Sequence, residues 1–346
     1  MATIKQIAQK AGVSRRTVDR VINHRGAVRP ETAERIQKII DELDYKPNTA
    51  GQTLAAGRKK IKLAFCSVKG KKSVIHEEIR KGAFQKAREL EQLGVNVQFY
   101  IVDRDHPLKK DEINQILEEF HCDGLAVVPG DEEIIHLLIQ KAETMKIPII
   151  FYNTDQTKFK RNYYVGCNYV KAGQMAAGLI GLGVTQSMEV GVFTIGSEEV
   201  VLGHPSYTDR VKGFEKEIHN KYPLIEVVDH YFLGHDVFDY FENTKKAVLE
   251  HPNLGAIYLV NPGDYSVCEA IKKVIGDKKI RLITNDLTKE IIPFLKERIV
   301  SATISQDPES QGRIPLQILF NLLVLGKEPD QEVFYTDLNI YIPQCL

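Results

Sequence analysis

The sequence predicts an all-α head of three short helices joined to an α/β body built from two doubly wound parallel-sheet lobes. Three observations support this prediction. The first 48 residues carry three amphipathic helix patterns. From residue 61 onward, apolar strand segments alternate with amphipathic helices, which is typical of parallel sheets covered on both faces. A chain of 346 residues with 43% hydrophobic residues is long and apolar enough for two or three domains.

The head begins with two short helices separated by a tight turn. Over residues 4–11, apolar side chains recur at positions i, i+3, i+4 and i+7 of a helix, namely Ile4, Ile7, Ala8 and Ala11. Gly12 suits the turn because it tolerates a positive φ, and Ser14 can cap the second helix. In that helix the inward residues are Val18, Val21 and Ile22, and the outward residues are Arg15, Arg16, Asp19 and Arg20.

A third helix is expected to begin near Pro30, a favourable first-turn residue. It packs Ile36, Ile39, Ile40 and Leu43 against the first two helices. The segment 49–60 that follows the head consists of small residues around one large apolar side chain, Leu54. It contains two glycines and is too short to be a stable isolated helix in water, so we expect a linker that orders conditionally.

The charge distribution favours a polyanionic partner at one end of the chain. Residues 1–60 contain 13 Lys and Arg against 6 Asp and Glu, although the formal net charge of the chain is +0. A basic helix-turn-helix has the shape and charge to enter a DNA major groove. Charge alone leaves a merely solvated basic face as an equal alternative.

The body contains ten strand segments, at 61–68, 95–102, 124–129, 147–152, 164–167, 189–194, 225–232, 256–260, 282–285 and 303–305. Ten strands exceed one comfortable sheet, which is why two lobes are predicted. A ligand then lies where the carboxyl ends of the strands converge between the lobes.

Other classes of protein lack support in the sequence. No phosphate loop, G-x-S-x-G turn or G-x-G-x-x-G turn follows a strand, so no catalytic residue and no cofactor is assigned. The five cysteines are dispersed and show no zinc spacing, so no metal is assigned, and they fit a reducing compartment. No apolar run approaches the roughly 20 residues that span a bilayer. We therefore expect a cytoplasmic, nucleoid-associated protein without a membrane partner.

The opening block resembles the DNA-binding domain of the LacI/GalR transcriptional regulators. The matching residues are Thr3-Ile4, Ala8, Ala11-Gly12-Val13-Ser14, Thr17-Val18, Arg20-Val21-Ile22-Asn23 and Tyr45-x-Pro47-Asn48. The body is similar to the effector domain of that family, itself similar to periplasmic sugar-binding proteins. Its segments include Asn168 with Ala172-Gly173, Asp209-Arg210, Asn285-Asp286 and Gln306-Asp307.

The resemblance implies a domain organisation. Residues 1–48 form the helix-turn-helix domain, 49–60 the hinge, and 61–346 the effector-binding and dimerisation domain. Lobe N is expected over about 61–165 and 291–326, and lobe C over about 166–290 and 327–346.

The resemblance also implies roles at the DNA end. Arg15, Arg16 and Arg20 read bases, and a bidentate arginine–guanine pair contributes about 1–3 kcal/mol of discrimination. Phosphate contact alone is the alternative. Asn23, Thr32 and Tyr45 are the expected backbone anchors, which set register without reading sequence. Leu54 is the expected minor-groove wedge that bends the DNA.

At the effector end, Arg210 resembles a family arginine that binds a sugar ring oxygen or hydroxyl, and Asp264, Asp286 and Gln306 resemble the polar ring around it. Asn153 stands where sugar-binding relatives often carry Asp, and His76 where they often carry an aromatic stacking group. The basic loop 69–72 could receive a sugar phosphate, with a solvated loop as the alternative. A neutral sugar or polyol is the default effector.

Together these features predict a sequence-specific DNA-binding regulator, a repressor, whose operator affinity is changed by a small polar metabolite. A pseudo-palindromic operator in double-stranded DNA needs two heads, so a homodimer is expected, with a tetramer left open. Two alternatives remain: control by a partner protein instead of a metabolite, and a sugar-binding protein without a regulatory role.

Overall fold

The computed structural model describes residues 4–22, 28–43, 60–69, 74–103, 111, 113, 115–130, 132–261 and 265–346. The head consists of α1 (Ile4–Ala11), α2 (Arg15–Ile22) and α3 (Pro30–Glu42). Gly12 has a φ of +65° in the turn between α1 and α2. The Ser14 hydroxyl oxygen accepts a hydrogen bond from the Thr17 amide at 3.1 Å and so caps α2, as predicted.

The head has its own small apolar core. Its buried members are Ile7, Ala8, Ala11, Val18, Ile36 and Ile39. These are predicted inward residues from all three helices, which confirms the helical periodicity read from the sequence. A core of this size provides little burial, so the stability of the head depends on a few side chains.

The body contains two six-stranded sheets. The first has the order β11-β5-β4-β3-β1-β2 and the second the order β12-β10-β9-β8-β6-β7. The strands of the first sheet are β1 (Lys62–Lys69), β2 (Asn96–Asp103), β3 (Gly124–Val127), β4 (Ile149–Asn153), β5 (Tyr163–Gly166) and β11 (Val333–Tyr335). Those of the second are β6 (Met188–Thr194), β7 (Ile225–Phe232), β8 (Leu254–Leu259), β9 (Arg281–Asn285), β10 (Ala302–Ser305) and β12 (Asn339–Tyr341).

Helices cover both faces of each sheet. They are α4 (Val74–Glu91), α5 (Glu132–Met145), α6 (Tyr169–Gly181), α7 (Glu198–Leu202), α8 (Pro205–Lys221), α9 (Val237–Glu250), α10 (Ser266–Ile275), α11 (Ile292–Lys296) and α12 (Pro308–Leu323). Strand pairing is parallel except between β10 and β12. Two doubly wound lobes are therefore confirmed, and in each the strand order reverses beside its first strand, which places the binding crevice at the carboxyl ends.

The chain crosses between the lobes in three places: from β5 to α6, from β10 to α12, and from β11 to β12. The expected lobe boundaries therefore need two corrections. Of the range 291–326 expected in lobe N, α12 packs against the first sheet, but β10 pairs with β9 in the second. Of the range 327–346 expected in lobe C, β12 pairs with β10 in the second sheet, but β11 pairs with β5 in the first. Strands of three residues give a weak period-2 signal, and that is why β11 and β12 were missed.

One helix pair in the second lobe packs backbone against backbone. A Cβ built on Gly173 of α6 would lie 1.9 Å from the Arg210 carbonyl oxygen of α8, and one built on Gly213 would lie 2.0 Å from that of Val170. Only glycine permits this approach, which places Arg210 at a defined height over the sheet. Among the described residues, no helix is both long enough and apolar enough to cross a membrane.

Candidate functional site

The exposed face of α2 is basic. Arg15, Arg16 and Arg20 are exposed, whereas Val18 on the opposite face is fully buried in the head core. Thr32 lies in the first turn of α3 and is half-buried. The structure therefore presents three guanidinium groups on one short helix, the geometry with which a recognition helix meets base edges. Asn23, Tyr45 and Leu54 lie outside the described residues.

A buried guanidinium lies at the carboxyl edge of the second sheet. Arg210 is only 3% exposed, and its guanidinium lies 4.8 Å from the centroid of the Tyr169 ring. Its Nη1 donates to the Val260 carbonyl oxygen over 3.4 Å, and its Nε has no acceptor among the described residues. A buried donor without an acceptor is costly, so this group is suited to bind an oxygen atom of a ligand.

Asp286 follows β9 at the same edge and has a left-handed backbone, with a φ of +68°. Its amide donates to the Ile304 carbonyl oxygen at 2.8 Å, and its own carbonyl oxygen accepts from the Thr303 hydroxyl at 2.7 Å. Burial raises the pKa of the Asp286 carboxyl group, while Arg210 and a hydrogen bond from Gln306 oppose that rise. Left-handed non-glycine residues concentrate at functional sites, because surrounding contacts must hold them in place.

Four polar side chains form a chain of hydrogen bonds between the lobes, which we call the cleft network: Asp286, Gln306, Gln311 and Asn153. Gln306 Nε2 donates to Asp286 Oδ1 at 2.7 Å. Gln311 Nε2 donates to Gln306 Oε1 at 3.1 Å, and Asn153 Nδ2 donates to Gln311 Oε1 at 3.1 Å. The network joins β4 of the first lobe to the end of β9 in the second.

Two tyrosines hold the backbone of Asn153. The hydroxyl groups of Tyr164 and Tyr169 donate to the Asn153 carbonyl oxygen at 2.8 and 2.7 Å. Burial raises the pKa of both hydroxyl groups, so both stay protonated donors at neutral pH. Asn153 itself has a φ of +63°. Tyr169 thus contacts Arg210 with its ring and the first lobe with its hydroxyl group.

Asn285, the last residue of β9, is a further buried polar group at this edge. Its Nδ2 donates to the Tyr258 hydroxyl oxygen at 3.1 Å and to the Val260 carbonyl oxygen at 2.8 Å. Its Oδ1 has no hydrogen-bond partner among the described residues. Asn285 and Arg210 therefore share one carbonyl acceptor, and each has one polar atom without a partner in the part of the chain that the structure describes.

The structure brings together Arg210, Asp286 and Gln306, and it links Asn153 to them through Gln311. His76 lies in the first turn of α4 and is half-buried, and its expected role stays a prediction. Asp264 lies outside the described residues. Sequence reasoning missed Tyr169, Gln311 and Asn285, although a polar residue at an apolar position of the helix pattern was a signal for Gln311.

Comparisons with known proteins match the head and the body of the chain to two different family profiles. The profile described as "Bacterial regulatory proteins, lacI family" matches residues 3–48, and the profile described as "Periplasmic binding protein domain" matches residues 66–328. Catabolite control protein A of Staphylococcus epidermidis is 29% identical over 160 residues, which cover 44% of each chain. The alignment therefore spans less than half of that relative.

The ribose import binding protein RbsB of Bacillus subtilis is 22% identical over 286 residues, which cover 82% of this chain and 89% of that protein. A solute binding protein of an ABC transporter from Burkholderia graminis, solved in complex with D-arabinose, superimposes with a TM-score of 0.66 at 22% sequence identity. It covers 82% of this chain and 96% of the other. At this identity the likeness establishes the fold of the two lobes.

Proposed function

Because this chain belongs to the family of the periplasmic binding protein domain and its residues 3–48 match the profile of the lacI family of bacterial regulatory proteins, we propose that it is a sugar-modulated transcriptional repressor. It binds an operator in double-stranded DNA through its head and a small polar effector through the cleft between its lobes. The observation that carries the proposal is the pairing, in one chain, of an exposed arginine face on α2 with a buried Arg210 in the body whose Nε has no acceptor among the described residues.

At the DNA end, α2 enters the major groove with Arg15, Arg16 and Arg20 toward the bases. Bidentate bonds from arginine to guanine O6 and N7 supply sequence discrimination. Thr32 at the start of α3 contacts a phosphate, which fixes the register of the head on the duplex. Asn23 and Tyr45 complete the backbone contacts, and Leu54 acts as the wedge.

At the effector end, Arg210 donates to a ring oxygen or hydroxyl group, and Asp286 accepts from a neighbouring hydroxyl. This donor and acceptor pair suits a polyhydroxylated molecule. Two similar proteins, a ribose import binding protein and a solute binding protein in complex with D-arabinose, support an aldopentose or a related sugar. Asp264 and His76 extend the same site.

Regulation requires two copies of the chain. A pseudo-palindromic operator is contacted by two heads about a twofold axis, so the body forms a homodimer. The effector changes operator affinity only if it binds more tightly to one arrangement of the lobes than to the other. Because three chain crossings connect the lobes, a change in the cleft alters their relative position.

The DNA function is tested by selecting bound fragments from a randomised duplex library and measuring affinity at several salt concentrations. The expected result is a two-fold symmetric consensus whose affinity falls steeply with salt. Binding to DNA without sequence preference would contradict the proposal that the chain is a transcriptional repressor.

The effector function is tested by a thermal-shift panel of D-ribose, D-arabinose, D-glucose, ribitol and D-ribose 5-phosphate. A ligand at 100 times its Kd raises stability by about 2.7 kcal/mol. In Arg210→Ala the shift should vanish while operator binding persists. Lys212→Ala, an exposed residue on the same helix, should behave as wild type. If no member of the panel shifts the melting temperature, control by a partner protein is favoured.

A further inference from the structure

Gln311 is a polar side chain at a buried position of α12. It is 0% exposed, and the neighbouring buried residues of the same helix, Gly312, Pro315, Leu316 and Leu319, are apolar. Burying an amide is unfavourable unless its donor and acceptor are both bonded. The buried amide of Gln311 must therefore be stabilised by hydrogen bonds.

Both ends of the Gln311 amide are used, and they face different lobes. Its Oε1 accepts from Asn153 Nδ2 of β4 at 3.1 Å. Its Nε2 donates to the carbonyl oxygen of Gln306 at 3.0 Å and to the Oε1 of the same residue at 3.1 Å. One side chain thus connects the last residue of a first-lobe strand to the segment that leaves the second sheet.

The direction of these bonds determines how Gln306 is oriented. Since Gln306 Oε1 accepts from Gln311, the Nε2 of Gln306 is turned toward Asp286 and donates to it at 2.7 Å. Without the Gln311 donor, the Oε1 of Gln306 loses an anchor, so the amide can swing and its Nε2 can leave the carboxylate. Gln311 therefore acts on Asp286 through Gln306.

We infer that Gln311 is a positioning residue that couples the relative position of the lobes to the carboxylate of Asp286. When the lobes shift, Asn153 moves against Gln311, and the donor to Asp286 is gained or lost. The relevance of this coupling to regulation rests on the proposed function, in which Asp286 contacts the effector. The hydrogen bonds themselves do not depend on it.

A second crossing provides a reporter for the network. The Thr336 hydroxyl donates to the Gln306 carbonyl oxygen at 2.7 Å, and the Thr336 amide donates to the Gly166 carbonyl oxygen at 2.9 Å. Loosening of Gln306 should therefore increase opening of the Thr336 amide. Among the described residues, the charged and titratable groups that face Asp286 include Arg210, Cys167, Tyr169, Tyr258 and Tyr265.

The test compares Gln311→Met, of similar volume but without an amide, with Gln317→Met on the same helix. Gln317 bonds only within α12 in the described structure, to Asn321 Oδ1 at 2.7 Å. Hydrogen–deuterium exchange of the full chain, without DNA or sugar, is followed in peptides containing Thr336. Gln311→Met should accelerate exchange there about tenfold, the equivalent of one net hydrogen bond, and Gln317→Met should leave it unchanged.

The second readout is a pH profile that packing alone does not move. The melting-temperature difference between Asp286 and Asp286→Asn proteins is measured against pH in the Gln311 and the Gln311→Met backgrounds. Plotted against pH, this melting-temperature difference changes around a midpoint. Loss of the Gln306 donor should move that midpoint to higher pH. Unchanged exchange at Thr336, or an unmoved midpoint, overturns the inference.

If Gln311→Met loses its cooperative thermal transition, Asn153→Ala decides the question. That change removes the donor to Gln311 Oε1 and must accelerate exchange at Thr336, and equal exchange rates in wild type and variant reject the coupling. A positive result here with no sugar in the panel binding would reject the proposed effector and keep the coupling. Binding of a sugar without a change in amide exchange at Thr336 would keep the proposed effector and reject the coupling.

Discussion

The contact between α6 and α8 gives a sharp prediction. Two glycines of α6 differ in the distance from an added Cβ atom to its nearest neighbour. In Gly173→Ala the new Cβ would lie 1.9 Å from the Arg210 carbonyl oxygen, a distance that side chains essentially never show. The helices must separate by at least about 1 Å to relieve the overlap. In Gly178→Ala the nearest atom is the Tyr222 hydroxyl oxygen at 3.7 Å, an ordinary contact.

The magnitude follows from two opposing effects. Overpacking typically costs about 1–3 kcal/mol, and a backbone neighbour puts this case at the upper end. Alanine in a helix recovers about 0.5–1 kcal/mol relative to glycine. We expect Gly173→Ala to lower the free energy of unfolding by about 2 kcal/mol and Gly178→Ala to raise it by slightly less than 1 kcal/mol. Because both changes lie in α6, the gain in helix propensity is common to both, and the difference between the two variants reports the steric overlap.

Thermal unfolding followed by circular dichroism measures the difference. For a body of this size, a loss of about 2 kcal/mol corresponds to a melting temperature lower by about 3 °C. Because Arg210 is carried on the displaced helix, any sugar that stabilises the wild type should also bind Gly173→Ala more weakly. Equal melting temperatures for Gly173→Ala and wild type would refute the argument that backbone contact places Arg210.

Three further predictions concern the cleft and the head. Burial raises the pKa of the Asp286 carboxyl group above its value in the unfolded chain, so ionisation of this group lowers the stability of the fold as the pH rises through the folded pKa. The Asp286→Asn protein should therefore melt at a higher temperature than wild type at neutral pH. This difference in melting temperature should disappear near pH 4. Arg20→Ala should lose about 1–3 kcal/mol of operator discrimination in competition binding, whereas the exposed Arg35→Ala should not. Ile36→Ala, at a fully buried head position, should cost about 2–5 kcal/mol, abolish operator binding and leave the melting of the body unchanged.

The sequence predicted the architecture well where periodicity was strong. The amphipathic pattern of α1 to α3 and the ten body strands lie close to their observed positions. Predictions were weakest where the elements are short. The three-residue strands β11 and β12 were not predicted. Three-residue strands show too little alternation to be recognised.

The site was predicted only in part, because sequence patterns report which residues are polar and not which of them meet. Arg210, Asp286 and Gln306 were identified by resemblance. Their connection depends on three chain crossings that bring segments more than 100 residues apart together, and Gln311 bonds Asn153 across 158 positions. No local pattern contains that pairing, so the helix pattern could mark Gln311 as a polar residue at an apolar position but could not name its partner.

Two buried polar atoms of the cleft have no hydrogen-bond partner among the described residues. Their positions explain how a ligand bound by the second lobe can change the arrangement of both lobes. Arg210 Nε and Asn285 Oδ1 each lack a partner among the described residues, and a buried group left so costs about 1–3 kcal/mol. Both belong to the second lobe, whereas the backbone that Tyr169 holds belongs to the first. A ligand that offers an acceptor to Arg210 and a donor to Asn285 recovers these costs without touching the first lobe. Its effect on the lobes must then pass through Asp286 and the cleft network. A polyol of matching size that lacks the acceptor for Arg210 should therefore bind weakly and leave operator affinity unchanged, because it has no differential affinity with which to shift the lobes.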